Sequence, residues 1–146
     1  MNRLRALRES AGLSQAQLAE LSGVAQPNIA AYEAGRRPLT AGMFERLTRA
    51  TTRPSELVTQ HRDEIRRLVH HHRASNPRVF GSVGLGTDHP ASDLDLLVTM
   101  DEDASLFDLA ALHLELEALL GIRVDVLDDG GLKRKHHVIL DQLVAL

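Results

Sequence analysis

Cysteine is absent from this 146-residue sequence, and aromatic residues make up only 3% of it. Without cysteine the chain has no disulfide framework and no thiol chemistry. No apolar run of about 18 residues occurs, so no membrane span is predicted, and the charged first residues do not resemble a signal peptide. These absences predict a cytoplasmic protein. Its cores must be built from Leu, Val, Ile and Ala, which is feasible because hydrophobic residues make up 43% of the chain.

Charge is unevenly distributed along the chain. Residues 1–60 contain eight Arg and five Glu, a balance of +3, whereas residues 76–146 contain five Lys or Arg and thirteen Asp or Glu, a balance of −8. This asymmetry predicts two domains with different partners, residues 1–58 and residues 59–146. The basic domain is suited to DNA, whereas the acidic domain repels free nucleic acid unless metal ions intervene.

The first domain is predicted to be all-α, with five short helices. Ser14 and Gln17 form a capping box at the start of the second helix, and Gly35 is placed to end the third. The predicted helices begin at or just after Arg3, Ser14, Gln26, Thr40 and Thr52. The second and third helices with the glycine turn between them have the layout of a helix-turn-helix.

The stretch from Leu13 to Arg36 resembles the Xre/Cro/phage-repressor helix-turn-helix family, and the resemblance extends over about residues 3–58. In that family an Arg of the first helix pairs with a Glu at the end of the third, so the resemblance implies a structural pair between Arg8 and Glu33. The side chains expected to bind DNA are Gln15, Gln26, Asn28, Arg36 and Arg37. Gln and Asn suit the adenine edge and Arg suits phosphate. A helix-turn-helix used only for protein contacts is the alternative.

Two carboxylates follow a glycine-rich turn in the second domain. A predicted strand ends at Phe80, Gly81-Ser82 begins a polar loop, and Asp93-Leu94-Asp95 opens a second strand. Because strand side chains alternate, Asp93 and Asp95 share one face. Neighbouring carboxylates are costly without a cation between them, and Mg²⁺ prefers carboxylate and phosphate oxygens. A glycine turn also lets backbone amides approach a phosphate closely.

Gly81-Ser82, ten further residues and Asp93-x-Asp95 resemble the signature of the polymerase-β-type nucleotidyltransferases, in the short form of the minimal nucleotidyltransferase (MNT) proteins. The resemblance implies an α/β (α+β) domain with a small mixed sheet, and Asp125 as a third carboxylate. It implies that Asp93, Asp95 and Asp125 are catalytic and bind two Mg²⁺ ions, and that Gly81 and Ser82 bind ATP, the substrate. A glycine-rich hairpin with solvated Asp residues is the alternative.

Rival phosphate-binding motifs do not fit this stretch. No Lys follows Gly86, which excludes a Walker loop, and His89 stands where a dinucleotide-binding motif starting at Gly84 needs its third glycine.

The remaining elements of the second domain are predicted from apolar spacing. We expect helices over residues 61–73, 105–120 and 132–146 and a strand over residues 122–127. In the second of these helices Leu106, Leu109, Leu112, Leu116, Leu119 and Leu120 are expected to face the core. His70, His71 and His72 are expected to be a solvated helix end, because consecutive helical residues cannot converge on one ion. Lys133, Arg134 and Lys135 either bind phosphate or an acidic partner, or are solvated.

MNT-like proteins are typically antitoxins of HEPN-domain toxins. The resemblance therefore implies an antitoxin that transfers AMP from ATP to a hydroxyl of its toxin, such as that of a Tyr, and regulates its own operon by binding operator DNA. One alternative is a non-catalytic antitoxin and repressor that neutralises by contact, and another is a small-molecule nucleotidyltransferase. The sequence leaves open whether the chain forms a homodimer or a hetero-oligomer with the toxin.

Overall fold

A computed structural model describes residues 2–131 and 143–146 of the chain. The chain divides into two compact units. The first consists of Met1–Arg53 with His89–Ala91, and the second of Pro54–Asp88 with Ser92–Leu146. Each unit has a hydrophobic core of its own.

The first unit contains four helices. They are α1 (Arg3–Ser10), α2 (Gln15–Ser22), α3 (Gln26–Glu33) and α4 (Ala41–Thr51). Local signals fix their ends as predicted: Ser14 and Gln17 form the capping box of α2, and Thr40 caps α4 by accepting from the Met43 amide. The core is aliphatic, with Leu4, Leu18, Ile29 and Leu47 fully buried. The helix-turn-helix is present as predicted, but this unit has four helices and not the predicted five, because the fifth, Pro54–Gln60, buries Leu57 and Val58 in the core of the second unit.

Among its described residues, the second unit contains four α-helices and a four-stranded sheet. Its helices are α5 (Pro54–Gln60), α6 (Arg62–His71), α7 (Gly81–Leu85) and α8 (Leu106–Leu120). Its strands are β1 (Ala74–Phe80), β2 (Leu94–Met100), β3 (Val124–Asp128) and β4 (Val144–Ala145), in the order β3-β2-β1-β4. The β2–β3 pair is parallel and both pairs of β1 are antiparallel. The sheet is therefore mixed, as predicted.

Side chains along β2 alternate between the core and the face that carries the site. Leu94, Leu96 and Val98 are fully buried in a core that includes Ile65 and Val69 of α6 and Leu112 and Leu116 of α8. This apolar set fixes the register of β2, because a slip of one residue would move it to the opposite face. Asp95 is thereby held on the face away from that core.

Two segments are more regular than predicted. β1 begins at Ala74, directly after the predicted helix over residues 61–73, because a register shift between Ser75 and Arg78 lets the strand continue past Asn76, whose φ is +52°. The predicted polar loop after Phe80 begins with the single helical turn of α7.

Three further expectations were wrong. Leu106 is exposed rather than in the core. His72 is buried, and its Nε2 lies 2.7 Å from Glu115 Oε2, so it is not part of a solvated helix end. Val144–Ala145 is a strand, not the end of a helix, because it pairs with Arg78 and Val79 of β1. The other predicted residues of that helix, including Lys133, Arg134 and Lys135, lie outside the described residues.

Candidate active site

Strand register brings two of the predicted carboxylates side by side. Asp95 of β2 is the direct partner of Asp125 in the parallel β2–β3 pair, where neighbouring strands lie about 4.8 Å apart. Asp93 immediately precedes β2. On the other side of β2, Asp95 is in register with Phe80, the last residue of β1, so that Gly81 follows directly beside it. The three acids and the glycine turn therefore lie together at one end of the neighbouring strands β3, β2 and β1.

The acids interact electrostatically. The pKa of Asp95 is raised above its usual value of 3.8, first by partial burial and then by the negative charges of Asp125 and Asp93, and a hydrogen bond with the Asp125 carboxyl adds to the effect. Each of these causes disfavours the ionised form of Asp95. A cation bound at this point would favour it instead.

Gly81 lies directly against this cluster. Its φ is +64°, in the left-handed region, and a Cβ at this position would overlap the carboxylate of Asp95. Two constraints therefore require glycine here, the backbone conformation and the lack of space. Ser82 follows in α7, half-buried, and its carbonyl accepts from the Thr87 amide at 2.9 Å.

The acids suit a divalent cation in chemical type, but they are not preformed as a cage. Within residues 2–131 and 143–146, no group of three or more His, Cys, Asp or Glu side chains has the arrangement of a metal site. The Asp95 and Asp125 side chains instead interact directly with each other, as neighbours across the β2–β3 pair. Carboxylate oxygens are the ligands that Mg²⁺ prefers, so Asp93, Asp95 and Asp125 are the side chains that would hold it.

Two other acids, at the end of β3 away from the site, stabilise the fold. Asp129, which the sequence indicated only as a turn residue, accepts from Arg78 Nη2 at 2.9 Å and from the Thr99 hydroxyl, and so ties the segment after β3 to β1 and β2. Burial opposes ionisation of Asp129, but these hydrogen bonds prevail and lower its pKa. Asp128 accepts from the amides of Met100 and Gly130 and is the expected turn residue.

Sequence patterns missed Asp88. It is 6% exposed, and its Oδ2 accepts from the Ser55 amide at 2.8 Å. This bond fixes the loop that leads to Asp93 onto the first turn of α5. No local pattern indicates it, since the two residues are 33 positions apart in the sequence.

In the helix-turn-helix domain, the Arg8–Glu33 pair forms as predicted. Arg8 donates to Glu33 at 2.6 and 3.2 Å, and the two side chains are only 11% and 5% exposed. Gln15 Nε2 also donates to Glu33, at 2.7 Å, so the structure places Gln15 in this cluster. These bonds lower the pKa of Glu33 although burial opposes the shift.

The other residues predicted to bind DNA lie in and after α3. Asn28 is half-buried and accepts from Arg37 Nη1 at 2.9 Å. The Arg37 guanidinium also lies 5.5 Å from the centre of the Tyr32 ring. Gln26, Arg36 and Arg37 are exposed, so their side chains are accessible to a ligand.

Comparisons with known proteins identify two families in this chain. Residues 2–60 match the family described as a helix-turn-helix domain, and residues 58–142 match the family described as a nucleotidyltransferase domain. The chain is 38% identical over 77 residues, covering 53% of this chain and 75% of the relative, to the protein adenylyltransferase MntA of Thermococcus cleftensis. It is 36% identical over 73 residues, covering 50% and 75%, to a Methanocaldococcus jannaschii protein named a "putative protein adenylyltransferase".

A solved structure also resembles the nucleotidyltransferase part of this chain. It is described as a "putative minimal nucleotidyltransferase" and is similar to this chain with a TM-score of 0.58 and 40% identity. The similarity covers 63% of this chain and 95% of the other. In the part of the chain that the structure describes, no helix is long and apolar enough to cross a membrane.

Proposed function

Because this chain belongs to the nucleotidyltransferase domain family and carries a helix-turn-helix domain as well, we propose that it is a protein adenylyltransferase, which transfers AMP from ATP to a hydroxyl of a partner protein. The observation that carries the proposal is the position of Asp95, between Asp93 and Asp125 and against Gly81. Such a group of acids is electrostatically unfavourable by itself and is suited to a cation-bound triphosphate. Two similar archaeal proteins carry the adenylyltransferase name.

The chain's residues have separate roles in this reaction. Gly81 and Ser82 would contact the triphosphate, and Asp93 and Asp95 would hold Mg²⁺, which would neutralise charge on the phosphates. The acceptor oxygen forms a bond to the α-phosphorus, and the bond from that phosphorus to the departing pyrophosphate breaks. The proton of the acceptor hydroxyl would pass to the exposed Asp125 carboxylate, or to solvent if Asp125 holds the metal with the other two acids.

The partner we propose is a HEPN-type toxin modified on a Tyr hydroxyl, which makes this chain the antitoxin. The name MntA of the Thermococcus cleftensis relative supports this assignment. The helix-turn-helix domain supports a second role, binding of operator DNA to regulate the operon. The exposed side chains of Gln26, Arg36 and Arg37 are the proposed contacts in that role.

Labelled ATP tests the transfer. The purified protein, the HEPN-type protein encoded beside it, Mg²⁺ and ATP labelled at the α-phosphate should give a labelled partner. EDTA or Asp95→Asn should abolish the label. Asp63→Asn is the matched control, since Asp63 is an exposed carboxylate of the same unit that lies on α6 and not on the strands of the site. Absence of label with the wild type, or equal labelling by Asp95→Asn, would reject the proposal.

The non-catalytic alternative makes a different prediction. If the protein neutralises the toxin by contact alone, a variant in which Asp93, Asp95 and Asp125 are all Asn should still protect cells. If transfer of AMP is what neutralises the toxin, this variant should fail to protect cells although it remains folded.

Gel shifts with the region upstream of its own gene test the DNA role. Gln26→Ala should weaken the shift, because its exposed amide would be lost from the groove. Binding that is absent in the wild type, or insensitive to salt, would count against the proposed repressor role.

A further inference from the structure

Helix α8 is apolar on its outer face as well as on the face in the core. Leu112, Leu116 and Leu120 are buried, whereas Leu106, Phe107 and Leu114 are 83%, 86% and 66% exposed. Positions three or four apart on a helix are neighbours, so the exposed side chains form one stripe with the exposed Ala110 and Ala118. We call Leu106, Phe107, Ala110, Leu114 and Ala118 the α8 outer face. The described fold leaves this face in solvent.

The α8 outer face differs from scattered exposed residues. The chain has only three Phe and one Tyr, yet Phe107, at the N-terminal end of this face, is 86% exposed. Contiguous apolar surface of this kind marks interaction sites, and buried aromatic side chains dominate binding energy at interfaces. A cavity of about 630 Å³ between α6 and α8, lined in part by Leu68, Ala118 and Leu119, continues the apolar surface towards α6.

Charge around the α8 outer face selects the kind of partner. Residues 101–122 contain no Lys or Arg, but they contain six acids: Asp101, Glu102, Asp103, Asp108, Glu115 and Glu117. Arg73, paired with Asp103 at 2.9 Å, and Arg67, in the cavity beside Glu115, offset only part of this charge. If a second copy paired α8 against α8, acids would face acids in either direction, and such pairing of like charges is costly. A protein with Lys and Arg around an apolar ridge is complementary in both charge and hydrophobicity.

We propose that the α8 outer face is the docking surface for the protein that accepts AMP, and that this protein presents an apolar ridge surrounded by basic residues. The inference rests on the function proposed above and adds the place where the substrate is held. Helix α8 ends at Gly121, and β3, which carries Asp125, begins at Val124. Leu114 lies six positions before the last residue of α8, about 9 Å along its axis. Because α8 covers the core face of the sheet and Asp95 lies on the opposite face, a partner docked here would reach the acids by extending past the C-terminal end of α8 and the start of β3.

The experiment measures the initial rate of AMP transfer against the concentration of the HEPN-type protein, at saturating ATP. Phe107→Ser and Leu114→Ser should each raise the KM for that protein by about tenfold or more, the scale of a lost interface anchor. The kcat, the KM for ATP and the Tm should stay those of the wild type. Val144→Ser is the matched control: it removes an apolar side chain that is 48% exposed on β4 and should change nothing.

The outcomes separate this inference from the proposed function. If the wild type transfers AMP and Phe107→Ser has the same KM, the docking surface is overturned. If the wild type transfers no AMP, the proposed function fails, and calorimetry with the same two proteins decides about docking. If the wild type binds the HEPN-type protein and Phe107→Ser does not, docking is supported. If the two bind equally, or the wild type does not bind, docking is overturned. If the wild type is a dimer and Phe107→Ser dissociates it, a second copy of the chain covers the α8 outer face. If Phe107→Ser lowers the Tm, the chain itself covers this face. Either result overturns the proposal.

Discussion

At the scale of the residue, Gly81 is the sharpest constraint in the proposed site. Gly81→Ala should reduce AMP transfer by about 10²-fold or more, the scale that follows a displacement of roughly 1 Å at a reacting group, because the new methyl group would push the Asp95 carboxylate away. The measurement is the initial rate of labelled AMP transfer to the partner.

Gly86→Ala is the control for backbone strain. Gly86 has a φ of +73°, in the same left-handed region as Gly81, but a Cβ there meets nothing within 4 Å. Both substitutions should cost about 1–2 kcal/mol of stability from the strained backbone, and only Gly81→Ala should lose the activity. Equal losses of activity would contradict the contact between Gly81 and Asp95.

Asp95→Asn should lower the activity and raise the stability of the metal-free protein. We expect AMP transfer to fall by at least about 10²-fold and the Tm of the metal-free protein at pH 7 to rise, since a charge that burial, Asp125 and Asp93 disfavour is removed. The folded-state pKa of Asp95 is raised, so the penalty appears as the pH rises above 3.8 and is complete above the raised pKa.

Thermal unfolding at several pH values checks the stability part of this prediction. The advantage of Asp95→Asn should vanish below pH 3.8. Added Mg²⁺ should raise the Tm of the wild type but not that of the variant. A variant that is less stable than the wild type at pH 7 without metal would show that Asp95 is not under electrostatic strain.

At the scale of the element, the bonds of Glu33 join three helices of the first unit. Arg8→Ala should destabilise it by about 3 kcal/mol, because it leaves a carboxylate buried without its main partner. Arg5→Ala is the matched control, since it removes an Arg of the same helix whose pair with Glu9 is exposed, and little change is expected. Chemical denaturation followed by circular dichroism measures both, and equal losses would contradict the prediction.

The same cluster predicts a pH dependence. The pKa of Glu33 is lowered from 4.5 by the bonds from Arg8 and Gln15, although burial opposes the shift. The stability that Glu33 confers is therefore present above pH 4.5 and is lost as the pH falls through the lower folded-state value. Glu33→Gln should be less stable than the wild type at pH 7, and the difference should narrow in acid. If the difference in stability between the wild type and Glu33→Gln did not change with pH, the negative charge assigned to Glu33 would be contradicted.

The accuracy of the sequence predictions depended on how local each signal is. The ends of α2 and α4 were predicted because Ser14, Gln17 and Thr40 bond to amides three residues away at most. The turn α7 was missed because a stretch rich in glycine has no apolar period to indicate a helix. Leu106 was misplaced because α8 has apolar residues on both faces, and periodicity cannot tell which of them the fold buries.

At the scale of the whole molecule, contacts between distant residues were expected only where a family resemblance implied them, as for Arg8 and Glu33. The alternation Asp93-Leu94-Asp95 indicated a shared face, and the structure adds the register that places Asp125 beside Asp95. The bonds from Arg78 to Asp129 and from Ser55 to Asp88 span 51 and 33 positions. Such pairs follow from strand order and packing, which a single sequence does not specify.

The opposite charges of the two halves lead to a last prediction, about DNA. A basic first half, at +3 over residues 1–60, implies that binding depends on phosphate contacts and weakens as salt rises. Arg36→Ala should weaken binding to all sequences alike and reduce the slope of log K against log[salt] by about one, because one phosphate contact is lost. Arg49→Ala removes another exposed Arg, on α4, and should leave the slope unchanged.

Gel shifts or anisotropy titrations across a range of NaCl concentrations provide these slopes. An unchanged slope in Arg36→Ala, or an equal fall in Arg49→Ala, would show that the segment after α3 does not lie against the DNA backbone. The variant with Asn at positions 93, 95 and 125 should bind DNA with the slope of the wild type, because its substitutions lie in the acidic half. A steeper slope in that variant would mean that the acids of the second half repel the DNA.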